Sequence, residues 1–143
     1  MSNSSQSVLQ AQLGKLKEAS QVLIIDDVDE MRDMLKLHLT QFGFKAVFEA
    51  ENANKSLNIC KSAQIDLAFL DINLPDLNGY DLYVQLKSVN PDIHIIVVSG
   101  EASLNNVREA KRLGANGFIS KPYHFDRIKP LLFQFFKQKI ENQ

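Results

Sequence analysis

The sequence predicts an α/β protein in which helices cover both faces of a parallel β-sheet. Five short apolar segments of strand length recur at intervals of roughly 20 to 28 residues, which leaves room for a helix between each pair. These segments are almost continuously apolar, as is typical of strands buried on both faces. Strands that alternate with helices form parallel sheets through right-handed crossovers. We therefore expect a single doubly wound sheet.

The predicted strands can be placed in order along the chain, at 22–26, 46–49, 67–70, 95–99 and 117–120. The first connecting helix is the clearest, because its apolar residues form a stripe at helical spacing and Gly43 follows as a stop signal; the stripe contains Met31, Met34, Leu35, Leu39 and Phe42. Further helices are expected near 53–63, 79–89 and 103–113. This pattern resembles a flavodoxin-like, doubly wound sheet of five strands in the order 2-1-3-4-5.

The last predicted helix runs from about Phe125 to Ile140 and has enough apolar residues to pack against the sheet. Phe133 lies off its apolar stripe. Pro130 is unusual there, because a proline beyond the first turn removes a backbone hydrogen bond and kinks the helix. Two alternatives follow: the helix begins late, near Lys129, or it bends at Pro130.

Residues 1–20 form a separate segment that is rich in Ser, Gln and Asn and precedes the first strand. Leu9, Leu13 and Leu16 recur at helical spacing, so a short amphipathic helix could dock on the domain or pair with another copy. Short isolated helices are marginal in water, which favours a frayed polar tail over the helix. We assign 21–141 to one folded domain.

Composition limits the classes of function. A chain of 143 residues with 45% hydrophobic and 23% charged residues can bury the core of one domain and has little room for a second. The net charge of -1 gives no indication of binding to nucleic acid or to an anionic membrane. The lone Cys60 cannot form an intramolecular disulfide, and no long apolar segment or leader is present, so we expect a cytoplasmic protein. His38, His94 and His124 lack metal-ligand spacing and are expected at the surface or at edges.

Acidic residues follow two of the predicted strands. Asp26 and Asp27 end the first apolar segment and Asp71 ends the third. A helix N-cap would explain one aspartate but not three acids at one edge of the sheet. Three converging carboxylates repel one another unless a hard divalent cation lies among them, and ligands that are all oxygen favour magnesium. The acids therefore predict a Mg²⁺ site.

Asp71 also has the features of a nucleophile. It precedes a loop marked by Pro75 and the Asn78-Gly79 pair, so its carboxylate is expected to be accessible to reagents. A carboxylate can attack a phosphoryl group and form an acyl phosphate when cations offset the charge on the oxygens. Lys121 could supply such a cation, and the Ser99 hydroxyl could donate to a phosphoryl oxygen. Both residues end predicted strands.

Together these residues resemble the receiver domain of bacterial two-component response regulators, from Val22 to about Ile140. The resemblance depends on the order of the family's motifs in this sequence, which are Asp26-Asp27, Asp71, Pro75-Asp76-Leu77-Asn78-Gly79, Ser99, Gly114-Ala115 and Lys121-Pro122. Among receivers, the chain looks most like the stand-alone, chemotaxis-type regulators.

The resemblance implies a set of roles at the site. Asp71 would accept a phosphoryl group from a phosphohistidine on a sensor histidine kinase or a histidine phosphotransfer protein. Asp27 would bind Mg²⁺ directly and Asp26 through water, and the backbone carbonyl of Asn73 would be a further ligand. The peptide bond between Lys121 and Pro122 is expected to be cis, as is usual in the family.

The resemblance also implies a switch that signals by protein binding. Ser99 would move toward the phosphoryl group, and Phe118, at a position where many members have tyrosine, would turn inward behind it. Asn73 and Glu101 would tune the lifetime of the acyl phosphate. The expected binding face for a downstream protein is helix 4, strand 5 and helix 5, with helices counted from the first strand. That face and the Leu9, Leu13 and Leu16 stripe could each support a homodimer.

Nothing after Ile140 in this sequence could form an output domain, so we expect the output to pass through another protein.

Two other classes of function remain as alternatives. A receiver-like docking module that works without phosphorylation is the first alternative. An aspartyl-phosphate phosphatase is the second, and Asn73 disfavours it because an amide cannot act as the general acid. Over both alternatives, we expect a signalling switch that catalyses its own phosphotransfer and dephosphorylation.

Overall fold

A parallel sheet of five strands in the order β2-β1-β3-β4-β5 forms the centre of the computed structural model, which describes residues 3–100 and 104–142. The predicted fold class and strand order are confirmed. The strands are β1 (Gln21–Ile25), β2 (Ala46–Ala50), β3 (Leu67–Asp71), β4 (His94–Ser99) and β5 (Gly117–Ser120). The helices are α1 (Asn3–Ala19), α2 (Asp29–Phe42), α3 (Ala53–Ser62), α4 (Gly79–Val89), α5 (Leu104–Leu113) and α6 (Phe125–Glu141).

Successive side chains of the central strands point to opposite faces of the sheet and enter two separate apolar cores. Leu23 of β1 belongs to the core under α3, α4 and α5, and its neighbour Ile24 belongs to the core under α2 and α6. All five residues of β3 and all six of β4 are buried. Burial on both faces explains why these strands appear in the sequence as continuous apolar segments.

The helix boundaries follow local signals in the sequence. Acidic side chains occupy the first turn of α2, where they complement the helix dipole. The helix ends at Gly43, whose φ of 126° lies in the region that glycine tolerates best. The last helix begins at Phe125, so the alternative in which it starts near Lys129 is wrong; Pro130 lies inside the helix.

Before the first strand the chain forms the helix α1, the alternative that the sequence disfavoured against a frayed tail. Docking explains the difference, because Leu13 and Leu16 pack against the core under α2 and α6. The ammonium of Lys17 also lies 4.1 Å from the centre of the Phe42 ring. Burial of an apolar face stabilises a helix that would be marginal alone. Among the helices of residues 3–100 and 104–142, none combines the length and apolar character needed to cross a bilayer.

Candidate functional site

Four of the predicted site residues lie at the carboxyl ends of the parallel strands. Asp26 follows β1, Asp71 ends β3, Ser99 ends β4 and Lys121 follows β5. Neighbouring strands of the sheet bring these ends to one edge, with Ser99 paired in register with Ser120. The side chains of Asp26, Asp71 and Ser99 are buried. Residues that are far apart in sequence therefore share one site, as expected for the edge where open α/β sheets bind ligands.

Three carboxylates converge at this edge. Asp26, Asp27 and Asp71 each offer an oxygen, and these oxygens all lie within 4.8 Å of one another. Asp26 and Asp71 are buried, whereas Asp27 is exposed. Carboxylate oxygens at this spacing fit a hard divalent cation such as Mg²⁺, which binds through few protein ligands and retains water.

Lys121 connects two of the three acids. Its Nζ atom lies 2.6 Å from Oδ2 of Asp71 and 2.8 Å from Oδ2 of Asp26. Burial alone would lower the pKa of Lys121, but the hydrogen bonds to Asp26 and Asp71 and the negative charges of these two acids together raise it. Burial raises the pKa of Asp71 despite the hydrogen bonds from Lys121 and Asn73. The site thus holds a fixed positive charge against its most buried acid. The peptide bond between Lys121 and Pro122 is cis.

The loop after Asp71 is closed at its base by backbone contacts. The amide of Asn73 donates to Oδ1 of Asp71 at 2.8 Å, and Asn73 forms an antiparallel bridge with Asn78. The amide of Gly79 donates to the carbonyl of Ile72 at 3.0 Å. A Cβ atom at Gly79 would lie 2.2 Å from Cα of Ile72, so only glycine allows the two backbones to come this close. The loop therefore returns sharply and keeps Asn73 beside the acids.

Comparison with known proteins decides the family. Residues 22–132 match the response regulator receiver domain, which is most of the chain. The chain belongs to this family. The receiver is 36% identical over 107 residues to a chemotaxis protein CheY from Thermotoga maritima, covering 75% of this chain and 89% of that protein.

Solved structures agree with this assignment. A CheY-like response regulator receiver domain protein from Methanospirillum hungatei has a TM-score of 0.78 and 30% identity to this receiver, covering 85% of this chain and 98% of that one. A response regulator protein from Burkholderia pseudomallei, solved with a phosphorylated aspartic acid, calcium ion and citrate, has a TM-score of 0.74 and 26% identity, covering 86% of this chain and 72% of that one.

The two expected switch residues, Ser99 and Phe118, differ in burial. Ser99 is completely buried at the end of β4, and its carbonyl accepts a hydrogen bond of 2.8 Å from the amide of Lys121. Phe118 on β5 is half-buried, packs against the core under α3, α4 and α5, and lines a groove of about 460 Å³ between β5 and α6. Glu101 lies outside the described residues. The face expected from the family corresponds to α5, β5 and α6.

Sequence reasoning assigned no role to Arg32, although it contacts the site. Its guanidinium donates to the backbone carbonyl of Asp26 at 2.6 Å, pairs with Asp29 and lies 3.6 Å from Glu49. The side chain is buried, and its hydrogen bond to the Asp26 carbonyl restrains the turn that presents the acidic pair. The sequence did contain a signal that Arg32 is buried, because Arg32 precedes Leu35 by three residues and so lies on the same, buried face of α2.

Tyr123 was also missed. It follows the cis peptide bond by one residue and lies close enough to the acids to be affected by their charge. Burial, together with the negative charge of Asp26, raises the pKa of Tyr123 to about 12. The phenol is therefore neutral at physiological pH and adds no charge beside the acids. Nothing in the local sequence distinguishes it from an ordinary loop tyrosine.

Proposed function

We propose that the protein is a phosphorylation-activated response regulator in which Asp71 accepts the phosphoryl group. The observation that carries this proposal is the contact between the buried Asp71 carboxylate and Lys121, at 2.6 Å, within a cluster of three acids. A buried carboxylate with a fixed cation beside it has the arrangement needed for a nucleophile toward phosphorus. The Burkholderia pseudomallei relative, which was solved with a phosphorylated aspartic acid, supports the same chemistry.

In the transfer step, a carboxylate oxygen of Asp71 attacks the phosphorus of a phosphohistidine. The new O–P bond forms an acyl phosphate as the P–N bond breaks, and the imidazole leaves with the electron pair of that bond. Lys121, whose Nζ atom lies 2.6 Å from Oδ2 of Asp71, would offset the negative charge that collects on the phosphoryl oxygens. Hydrolysis of the acyl phosphate by water, yielding inorganic phosphate, would return Asp71 to its free form.

The cation for this reaction would be Mg²⁺, held by the acidic cluster. Asp27 would be a direct ligand, Asp26 a ligand through water, and Asp71 and the backbone carbonyl of Asn73 would complete the protein's share. When bound, Mg²⁺ supplies positive charge to the phosphoryl oxygens. The acids themselves support this assignment, because their oxygens lie within 4.8 Å of one another and Asp27 is exposed.

The partners would be a histidine kinase or histidine phosphotransfer protein and a downstream protein target. Ser99 and Phe118 would carry the switch from Asp71 toward the surface of α5, β5 and α6, where the target would bind. Asn73 and Glu101 would set the lifetime of the acyl phosphate. Residues 21–141 would form this domain in the cytoplasm, and the domain would signal by protein binding.

Intact-protein mass spectrometry after incubation with acetyl phosphate and Mg²⁺ tests the proposal. We expect one phosphoryl adduct in the wild type and none with EDTA or in Asp71→Asn. Asp66→Asn is a matched control, because Asp66 is also partly buried and paired with a lysine, Lys139, but lies before β3 instead of at its end. An adduct that persists in Asp71→Asn would contradict the proposal. No adduct with any small phosphodonor would favour the docking module that works without phosphorylation.

A further inference from the structure

The loop after Asp71 is fastened to a helix that lies earlier in the chain. The carboxylate of Asp76, at the tip of this loop, accepts hydrogen bonds from the amides of Ala53 at 2.9 Å and Asn54 at 3.1 Å. Ala53 and Asn54 are the first two residues of α3. One side chain therefore connects the loop beside the acidic cluster with the start of a helix more than twenty residues away in sequence.

The start of α3 is well suited to hold a carboxylate. The first amides of a helix have no partner within the helix, and the helix dipole favours negative charge at this end. The side chain of Asn52 already accepts from the amide of Lys55, so Asp76 takes the two amides that this cap does not reach. The hydrogen bond from Ala53, followed by that from Asn54, holds the pKa of Asp76 below its usual range. We call the contact of the Asp76 carboxylate with the amides of Ala53 and Asn54 the clamp; its carboxylate is thus charged at neutral pH.

The clamp acts on a loop whose base is already closed. Contacts between Ile72 and Gly79 and between Asn73 and Asn78 join the two arms of the loop. Near the tip, Leu74 and Leu77 make apolar contacts with the core under α3, α4 and α5. The directional hydrogen bonds of Asp76 then fix the orientation of the tip relative to α3. A shift of the tip would be transmitted through the closed base to Asn73.

We propose that Asp76 is a positioning residue for metal binding: by clamping the loop to α3, it holds the Asn73 carbonyl in place before Mg²⁺ binds. This inference rests on the proposed function. A site whose competent conformation is only partly populated binds its ligand more weakly by that fraction. Loss of the clamp is therefore expected to weaken Mg²⁺ binding without removing any residue of the acidic cluster.

The test compares Mg²⁺ affinity and amide exchange in variants of Asp76. Calorimetry suits the affinity measurement, because the chain contains no tryptophan to report binding. We expect Asp76→Ala to weaken Mg²⁺ binding roughly fivefold, at the lower end of couplings between linked sites, and Asp76→Asn to have a smaller effect because it keeps one oxygen acceptor. Asp81→Asn removes the same charge from an exposed residue in the first turn of α4 and controls for electrostatics.

Hydrogen exchange gives a readout that does not depend on phosphorylation. In the metal-free protein, the amides of Ala53 and Asn54 are expected to exchange faster in Asp76→Ala than in the wild type or in Asp81→Asn. Coupling is reciprocal, so Mg²⁺ is expected to slow exchange of the same amides in the wild type. Circular dichroism would verify that each variant is folded.

The outcomes separate this inference from the proposed function. If the wild type binds Mg²⁺ and Asp76→Ala binds it as tightly as Asp81→Asn does, the positioning role is refuted and the proposed function stands. If the wild type itself does not bind Mg²⁺, both are refuted. Weaker binding in Asp76→Ala together with faster exchange at Ala53 and Asn54 would support the clamp.

Discussion

Acidification is expected to destabilise the fold through His94, which is buried at the start of β4. Its ring packs edge-on against Phe135 at a centroid distance of 5.2 Å. Burial, with smaller contributions from the positive charges of Lys87 and Lys139, lowers the pKa of His94 to about 4, against a hydrogen bond with Gln138 that raises it. The folded state therefore keeps this histidine neutral at pH values where an unfolded chain would protonate it.

The size and direction of the effect follow from proton linkage. An unfolded histidine titrates near 6.5, so between pH 6.5 and about 4 the unfolded state binds more protons than the folded state. The free energy of unfolding should fall as the pH drops through this window, by at most about 3 kcal/mol. Well above pH 6.5 both states are neutral at His94, and its contribution no longer changes with pH.

Urea unfolding at a series of pH values, from neutral to about 4.5, measures this effect. Carboxylates titrate in the same range, so the informative quantity is the difference between the wild type and His94→Leu. We expect the variant to lose less stability on acidification than the wild type. His124→Gln is the matched control, because its ring is exposed, and should retain the wild-type pH dependence. Parallel pH profiles for the wild type and His94→Leu would refute the reasoning.

Three further predictions concern packing. Gly79→Ala should lower the free energy of unfolding by roughly 1–3 kcal/mol, measured by thermal melts, and impair Mg²⁺-dependent phosphorylation, since the new Cβ would meet a backbone carbon at 2.2 Å. Gly14→Ala is the control: nothing lies within 4 Å of its new Cβ, so this variant should not be destabilised in the same melts. Phe136→Ala should lower the free energy of unfolding in urea by about 3–5 kcal/mol. Because Phe133 is 50% exposed, Phe133→Ala should lower it much less. A chain lacking residues 1–20 should still be phosphorylated by acetyl phosphate but melt at a lower temperature, because the packing of α1 is lost; loss of phosphorylation would contradict the proposed domain boundary.

The sequence was sufficient to predict the elements of the sheet because burial on both faces leaves a continuous apolar signal. Each predicted strand overlaps an observed one, and the helix stripe that ends at Gly43 corresponds to α2. The clustering of Asp26, Asp27 and Asp71 was also predictable, since parallel strands place their carboxyl ends at one edge. These features depend on short-range pattern together with a small number of topological rules.

Other features depend on contacts between distant segments and were missed. The sequence favoured a tail where α1 forms, because the docking of Leu13 and Leu16 on the core is not visible in local propensity. His94 was expected at the surface or at an edge, but it is buried. It is the first residue of β4, where α6 covers the strand, and a lone histidine carries no signal of that cover. The clamp from Asp76 to α3 likewise joins residues that no sequence spacing connects.

The most direct test of the central claim is to locate the phosphoryl group on the chain. Borohydride reduces an acyl phosphate of aspartate to homoserine, which peptide mass spectrometry can assign to a position. After phosphorylation with Mg²⁺, we predict homoserine at Asp71, and none at Asp26 or Asp27, in the phosphorylated sample alone. Homoserine at another aspartate, or a phosphoryl adduct that resists reduction, would contradict the assignment of Asp71 as the phosphoacceptor.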